Sequence, residues 1–371
     1  MNILFLNSTR VKAWGGIEKW MLMTAKGLRQ RGHTVYCGGK SNSLFVNKCI
    51  EAGFCTYSLK FGMDFSIINS YRLSKIFRHH QIDIVINHYN KEIKMASIAR
   101  KFSRRTVIIV ARAGLANVHD NWRYRHTYKH MVDGVITNTK AIKKKYLSYG
   151  WMEDDFIRVI QNGVDINVSA NSDIENLRQT YNLPKRRPVI GIFGRLVPQK
   201  QHNLFLDVAK NILDEYPEAI FLIVGYGPLK DKIQQYACDL GINDSVYMVG
   251  FQTDLEDLYY YCDIILLTSA YEGVPNVLIE AMLVGRSVVA FDVGGVNELI
   301  QSGKTGIIVP SNDVRLMTKK TLELLKSAEV RESLGSEASK FIRENISIEK
   351  MVNSIENYLK ELLACKSGSK I

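Results

Sequence analysis

The sequence predicts an α/β protein made of two doubly wound parallel-sheet domains facing a cleft. Three observations lead there. Short runs rich in Val, Ile and Phe alternate with helical patterns from one end to the other, the signature of parallel strands joined by crossover helices. A chain of 371 residues has room for two domains of ordinary size. A looser stretch over 162–187, where Asn, Gly, Ser and Pro cluster, breaks the rhythm before it restarts.

In the first half, strands are expected near 3–7, 34–38, 54–58, 83–87, 106–110 and 134–138. Helices fall near 16–31, 43–52, 65–79, 91–101, 118–131 and 140–149. Gly32 stops the first helix and Thr139 suits an N-cap. In the second half, strands are expected near 188–193, 219–224, 245–249, 264–268, 287–291 and 306–309. Helices lie near 201–214, 229–240, 254–261, 275–284, 296–301, 313–326 and 330–344. A last helix over 348–362 has an apolar stripe, drawn from Ile346, Ile348, Met351, Ile355 and Tyr358, that must be buried. The domains are therefore taken as 1–166 and 167–347, with the last helix returning to the first.

Composition narrows the class. At 46% hydrophobic and 23% charged the chain is globular. No run of 18 apolar residues exists to span a bilayer. The start, MNILFLNSTR, reads as a strand rather than a signal peptide, so a cytoplasmic protein is expected. Six cysteines show no metal-ligand spacing and read as reduced thiols. Charge is uneven. Residues 1–180 hold 28 Lys and Arg against 13 Asp and Glu, whereas 181–371 hold 21 against 24. The first half therefore faces something anionic.

The stretch 271–285, YEGVPNVLIEAMLVG, organises the chemistry. Glu272 and Glu280 stand eight positions apart, the first on a loop and the second inside a helix. Pro275 suits the first helical turn and Gly285 the position after the helix end. Amides of Gly273, Val274, Asn276 and Val277 then gather at a positive helix end, a ready anion site with a carboxylate on either side. Such a pairing of phosphate donors and hydroxyl acceptors suits a sugar nucleotide. The simpler reading is a βα unit whose helix happens to carry two acids.

Other strand ends add to this. Gly15 and Gly16 lie in the first βα loop, without a full GxGxxG fingerprint. GIFGRLVPQK places Gly194, Arg195 and Lys200 where cations could meet a diphosphate. VGYGP gives Gly225 and Gly227, which open a slot for a flat base, and Gly294, Gly295 and Glu298 mark another strand-to-helix turn.

Together with NGVD at 162–165, these motifs resemble the retaining GT-B glycosyltransferases, in particular glycosyltransferase family 4, across essentially the whole chain. The resemblance implies two Rossmann-like domains and transfer from a nucleoside-diphosphate sugar with retained anomeric configuration. It implies no metal and no cofactor beyond the donor, with UDP-sugar favoured over GDP-sugar. Arg195 and Lys200 would then bind the diphosphate and stabilise the leaving group. Glu272 would reach hydroxyls of the donor sugar, and Glu280 the ribose. Gly15 and Gly16 would let the first domain approach the diphosphate, and that domain would hold the acceptor. The implied setting is cell-envelope polysaccharide, lipopolysaccharide or capsule synthesis on a glycan or lipid-linked acceptor.

Two departures stand out. Many relatives carry a His after the fifth strand. Here Arg112 stands in that place, with His88 and His119 as alternatives. Arg286 replaces a common Pro. A further signal is basic. Lys140, Lys143, Lys144 and Lys145 crowd a helix over 140–151 whose Ile142, Tyr146 and Tyr149 recur at helical spacing, ending at Trp151. That pattern suits an amphipathic helix on an anionic bilayer, on the inner face of the cytoplasmic membrane. It equally suits a cationic face over a core helix. No nucleic-acid motif appears. A sugar-nucleotide epimerase of the same plan, or a non-catalytic sugar-binding protein, remains the alternative.

Overall fold

The computed structural model describes residues 1–9, 14–61, 66–114, 118–166, 174–184, 188–252, 255–366 and 368. The chain divides into two units, Met1–Gly163 with Ile348–Ile371, and Val164–Ser347. The chain passes between them at Gly163, rather than after 166.

In the first unit, β1 (Asn2–Asn7), β2 (Thr34–Gly39), β3 (Cys55–Ser58), β4 (Ile84–Asn87), β5 (Ile108–Arg112), β6 (Gly134–Thr137) and β7 (Ile157–Val159) form one parallel sheet. Its order is β3-β2-β1-β4-β5-β6-β7. Side chains alternate between its faces. Leu4, Leu6, Val85 and Ile109 pack under helices α3 (Ile67–His79), α4 (Asn90–Ser103), α5 (Trp122–Met131) and α6 (Lys140–Leu147). Ile3, Phe5, Ile84 and Ile108 pack under α1 (Gly16–Gln30), α2 (Leu44–Glu51) and the last helix, α14 (Ile348–Lys366).

Helix α14 buries Met351, Val352, Ile355, Tyr358 and Leu359 there. A Cβ at Gly27 of α1 would stand 2.4 Å from Val352 Cγ2, so only glycine lets the two helices meet this closely. Glu356 pins the contact, accepting from Lys360 at 2.6 Å, Arg31 at 3.0 Å and the His33 ring at 3.1 Å. These partners, Lys360 foremost, hold its carboxyl down at about 2. Ile346, expected in this stripe, belongs instead to the core of the second unit, where it is the C-cap of the preceding helix.

The second unit repeats the plan. Strands β8 (Val189–Phe193), β9 (Ile220–Val224), β10 (Val246–Gly250), β11 (Ile264–Leu267), β12 (Ser287–Phe291) and β13 (Ile307–Val309) are parallel in the order β10-β9-β8-β11-β12-β13. β8, β9, β11 and β12 are buried along their whole length, as strands covered on both faces must be. Around them run α7 (Ile174–Thr180), α8 (His202–Leu213), α9 (Lys230–Asp239), α10 (Glu256–Tyr261), α11 (Asn276–Leu283), α12 (Val314–Lys326) and α13 (Ala328–Asn345). The order reverses between β8 and β11, a crevice where ligands of such sheets bind.

Several expectations are corrected. Strand β7 and helix α7 were not expected. The helix expected over 118–131 begins only at Trp122, because the Asn121 side chain caps the amides of Arg123 and Tyr124 at 3.1 Å. The segment expected as a helix over 296–301 makes a single 3-10 turn. Helix α6 ends at Leu147, and Ile142, Tyr146 and Trp151 all point into their own unit's core. Its apolar stripe is therefore not available to a bilayer, although Lys140, Lys144 and Lys145 remain exposed. Among the described residues, no helix is long and apolar enough to cross a membrane.

Candidate active site

The second unit gathers the expected residues at its topological switch. Loops after β8 and β11 are tied together there. Thr268 Oγ1 donates to the Lys200 carbonyl at 2.9 Å, the Ala270 amide to Gln199 O at 2.8 Å, and Gln199 Nε2 to Tyr271 O at 2.8 Å. This lashing places Lys200 Nζ 2.6 Å from Glu272 Oε1, with side-chain exposures of 13% and 10%. The two residues expected to handle diphosphate and sugar thus hold each other in place. Arg195 is exposed on the loop after β8 and makes no ion pair among the described residues.

Glycines make the crowding of these loops feasible. A Cβ at Gly225, whose φ is +150°, would lie 1.8 Å from the Gly194 carbonyl oxygen. One at Gly227 would lie 2.4 Å from Leu196 O, and one at Gly294 1.8 Å from Glu272 O. The direct reason for these glycines is loop against loop. Their result is a cavity of about 560 Å³ lined by Leu196, Gly225, Tyr226, Gly227, Met248 and Gly250, among others, a volume suited to a small ligand. Half-exposed Tyr226 meets Phe251 edge-on at 5.0 Å and offers an aromatic face.

Helix α11 follows Glu272. Pro275 is its N-cap rather than its first residue, with φ −74° and ψ 113°. Gly285, at φ +74°, closes it: its amide donates to Met282 O at 3.0 Å and that of Arg286 to Ala281 O at 3.0 Å, the Schellman motif. Glu280, half-buried on α11, accepts from the Tyr259 hydroxyl at 2.9 Å. Burial pushes that hydroxyl well above its ordinary range, so it stays a donor. His202, at the start of α8, has both ring nitrogens buried without partners. Burial and the nearby Lys200 charge lower it to about 4.

The first unit has its own polar centre. Gly15 caps α1, and its amide donates to Glu18 Oε2 at 2.9 Å. That amide is therefore already occupied, while Gly16 is exposed. At the switch between β1 and β4, fully buried Glu92 accepts from the amides of Ser8, His88 and Tyr89, and burial raises its carboxyl. Arg112, 4% exposed at the end of β5, donates to Asn162 Oδ1 at 3.0 Å and lies 5.2 Å over the Trp20 ring. It makes no ion pair among the described residues, and its Nε has no acceptor. Burial lowers the guanidinium to about 10. His88 lies behind it, its Nδ1 2.7 Å from Arg112 O. Burial and the Arg112 charge lower His88 to about 4, so near pH 7 it is neutral and donates through Nδ1. His119 is a surface residue against Tyr124.

Comparison with known proteins agrees with this architecture. The family described as "Glycosyl transferases group 1" matches residues 173–341, and the one described as "Glycosyltransferase Family 4" matches 14–168. The structure superposes on a glycosyltransferase from Rickettsia africae with TM-score 0.86, at 20% identity and 98% coverage of both chains. It superposes on Anabaena HepE in complex with UDP-glucose with TM-score 0.84, at 22% identity, covering 97% of this chain and 100% of that one. The chain has the GT-B fold. A Staphylococcus aureus poly(ribitol-phosphate) alpha-N-acetylglucosaminyltransferase is 28% identical over 58% of this chain. A Bacillus anthracis N-acetyl-alpha-D-glucosaminyl L-malate synthase is also 28% identical over 58% of it. These matches take in 46% and 56% of the relatives' own lengths, so the chain spans about half of each.

Of the residues expected at the donor, Gly194, Arg195, Lys200, Gly225, Gly227, Glu272 to Val277 and Glu280 belong to the second unit. Arg112, Gly15 and Gly16 belong to the other sheet. Sequence reasoning passed over Tyr259 and Thr268, whose partners are remote in sequence. It also passed over Tyr226, although an aromatic between two glycines was a usable signal. Among the described residues no cluster of three or more His, Cys, Asp or Glu is placed to hold a metal ion.

Proposed function

We propose that the protein is a retaining, metal-independent glycosyltransferase that moves a sugar from a nucleoside-diphosphate sugar, UDP-linked in preference to GDP-linked, to a glycan or lipid-linked acceptor of the cell envelope. The observation that carries this reading is one continuous feature of the second unit. The cavity beside Tyr226 adjoins Leu196 and Gly194, and these lead to Lys200 and Glu272. The base lies on Tyr226, Glu280 with Tyr259 takes the ribose, and Arg195 and Lys200 take the diphosphate. Glu272 and the amides that follow it hold the sugar. The anomeric carbon–oxygen bond breaks with its electron pair passing to the diphosphate. The acceptor oxygen bonds to the same carbon and loses its proton to the departing group. Fixed cations meet the leaving charge, so no metal is required.

Arg112 completes the reading in the first unit. A buried guanidinium without a carboxylate is costly, and an anionic group on the acceptor would relieve it. Two relatives, a poly(ribitol-phosphate) alpha-N-acetylglucosaminyltransferase and an N-acetyl-alpha-D-glucosaminyl L-malate synthase, are consistent with anionic acceptors. The test is donor cleavage by the full chain with UDP-, GDP- and ADP-sugars, with and without EDTA, and with NMR of any product. Nucleotide release unaffected by chelator, with retained anomeric configuration, is expected. Loss with EDTA that Mn²⁺ restores would overturn metal independence, and an inverted product would overturn retention. No binding of any nucleotide would overturn the whole reading.

A further inference from the structure

The helices α3, α4, α5 and α6 cover one face of the first unit's sheet. Between them they contain a single acidic residue, Glu92, and it is fully buried. Their outer surface is cationic throughout. α3 exposes Arg72, Lys75 and Arg78, and α5 exposes Arg123, Arg125 and Lys129. Lys101 and Arg104 stand at the end of α4, and α6 adds the lysines already described.

Large apolar side chains stand among these charges. Ile67 is 64% exposed, Ile68 71% and Trp122 74%, with Tyr71 and Phe102 at 48% and 40%. They are not scattered singly. Tyr71 and Phe102 meet edge-on at 6.1 Å, and Lys75 Nζ lies 5.1 Å over the Tyr71 ring. On α3, positions 67, 71 and 75 share one helical face with 68 and 72, while Ser70, Leu73, Ser74 and Phe77 face the core. A contiguous exposed apolar patch rimmed by charged residues marks an interaction site.

We propose that this face docks on an anionic lipid bilayer, with Ile67, Ile68, Tyr71 and Phe102 entering the headgroup region and the surrounding cations meeting lipid phosphates. Charge complementarity selects an anionic partner. The isoleucines select a bilayer over a dissolved polyanion, which would meet the cations but leave those side chains in water. A surface of this kind binds through apolar area and charge together. The assignment rests on the transferase reading only in giving the docking a purpose, namely access to a membrane-borne acceptor. The docking itself is independent of turnover.

The experiment is co-sedimentation of the full chain with vesicles of phosphatidylcholine alone, and of phosphatidylcholine with phosphatidylglycerol, at low and high salt. Each cation near such a surface is worth roughly fivefold in partition. Arg72→Gln, Lys75→Gln and Lys101→Gln together should therefore weaken binding to the anionic vesicles on the order of a hundredfold. Ile67→Ser with Ile68→Ser should weaken it several-fold at both salts. Lys319→Gln with Lys340→Gln, an exposed pair on the second unit, should change it little. Circular dichroism and UDP-induced thermal shift should be the same in all variants, which separates this result from a failure of the donor site. Absence of wild-type partition would overturn the proposal, as would equal loss in the control pair. Isoleucine variants that bind like wild type would point to a dissolved polyanion. A dimer that the isoleucine variants dissolve, without vesicle binding, would assign the face to a second copy.

Discussion

Lys200 and Glu272 give the sharpest test of the site. Lys200→Met leaves the Glu272 carboxylate without its partner in a pocket where both side chains keep about one-tenth of their exposure. Breaking a fully buried pair costs about 3–5 kcal/mol. The residual solvent contact here brings that to about 2–3 kcal/mol, or roughly 4–12 °C in Tm for a unit of this size. Glu272→Gln should cost a similar amount. The double variant removes both charges, so its loss should fall well below the sum, near 1 kcal/mol. Turnover should behave differently. If Lys200 meets charge that develops on the diphosphate, its loss weakens transition-state binding by about 2–4 kcal/mol, and Glu272→Gln cannot restore it. The assay is urea unfolding alongside donor cleavage in all four proteins. Additive stability losses, or recovered turnover in the double variant, would refute the reasoning.

Three further outcomes follow from particular contacts. Gly225→Ala should abolish nucleotide binding or folding of the second unit, since its Cβ would sit 1.8 Å from Gly194 O, whereas Gly303→Ala, with open space around it, should cost about 1 kcal/mol; thermal shift with UDP checks both. Tyr259→Phe should raise the donor KM by roughly 3–10-fold with kcat unchanged, because Glu280 loses its 2.9 Å donor in ground and transition states alike. Glu356→Gln should destabilise the first unit by about 1–2 kcal/mol at neutral pH. Its folded-state value, about 2, lies below its ordinary 4.5, so its stabilisation is complete above the ordinary value and fades as pH falls towards 2. Urea midpoints of wild type and variant should converge across that window.

The strand–helix rhythm was legible because buried parallel strands are continuous apolar runs bounded by glycine and polar turns, as β8 and β9 are. Strand β7 escaped notice because it is three residues long and buries only Ile157 fully. Helix α7 escaped notice because it is seven residues long and lies in a stretch dominated by turn formers. Helix α6 shows a limit of periodicity. Ile142, Tyr146 and Tyr149 announce an apolar face, but nothing in the pattern says whether core or lipid covers it, and here the core does. In the site, the residue types and their loops were readable from motif spacing. The Lys200–Glu272 pair, the Tyr259–Glu280 bond and the support of Arg112 by Asn162 were not, since each joins residues 21 to 72 positions apart.

On the proposed function, the second unit holds the nucleotide at its β8–β11 switch. Hydrogen–deuterium exchange with saturating UDP, and with GDP and ADP in turn, tests it most directly. Protection is expected in 194–200, 225–230 and 272–280 with at least one of the three nucleotides. No protection in these segments with any of them, or protection confined to the first unit, would contradict it.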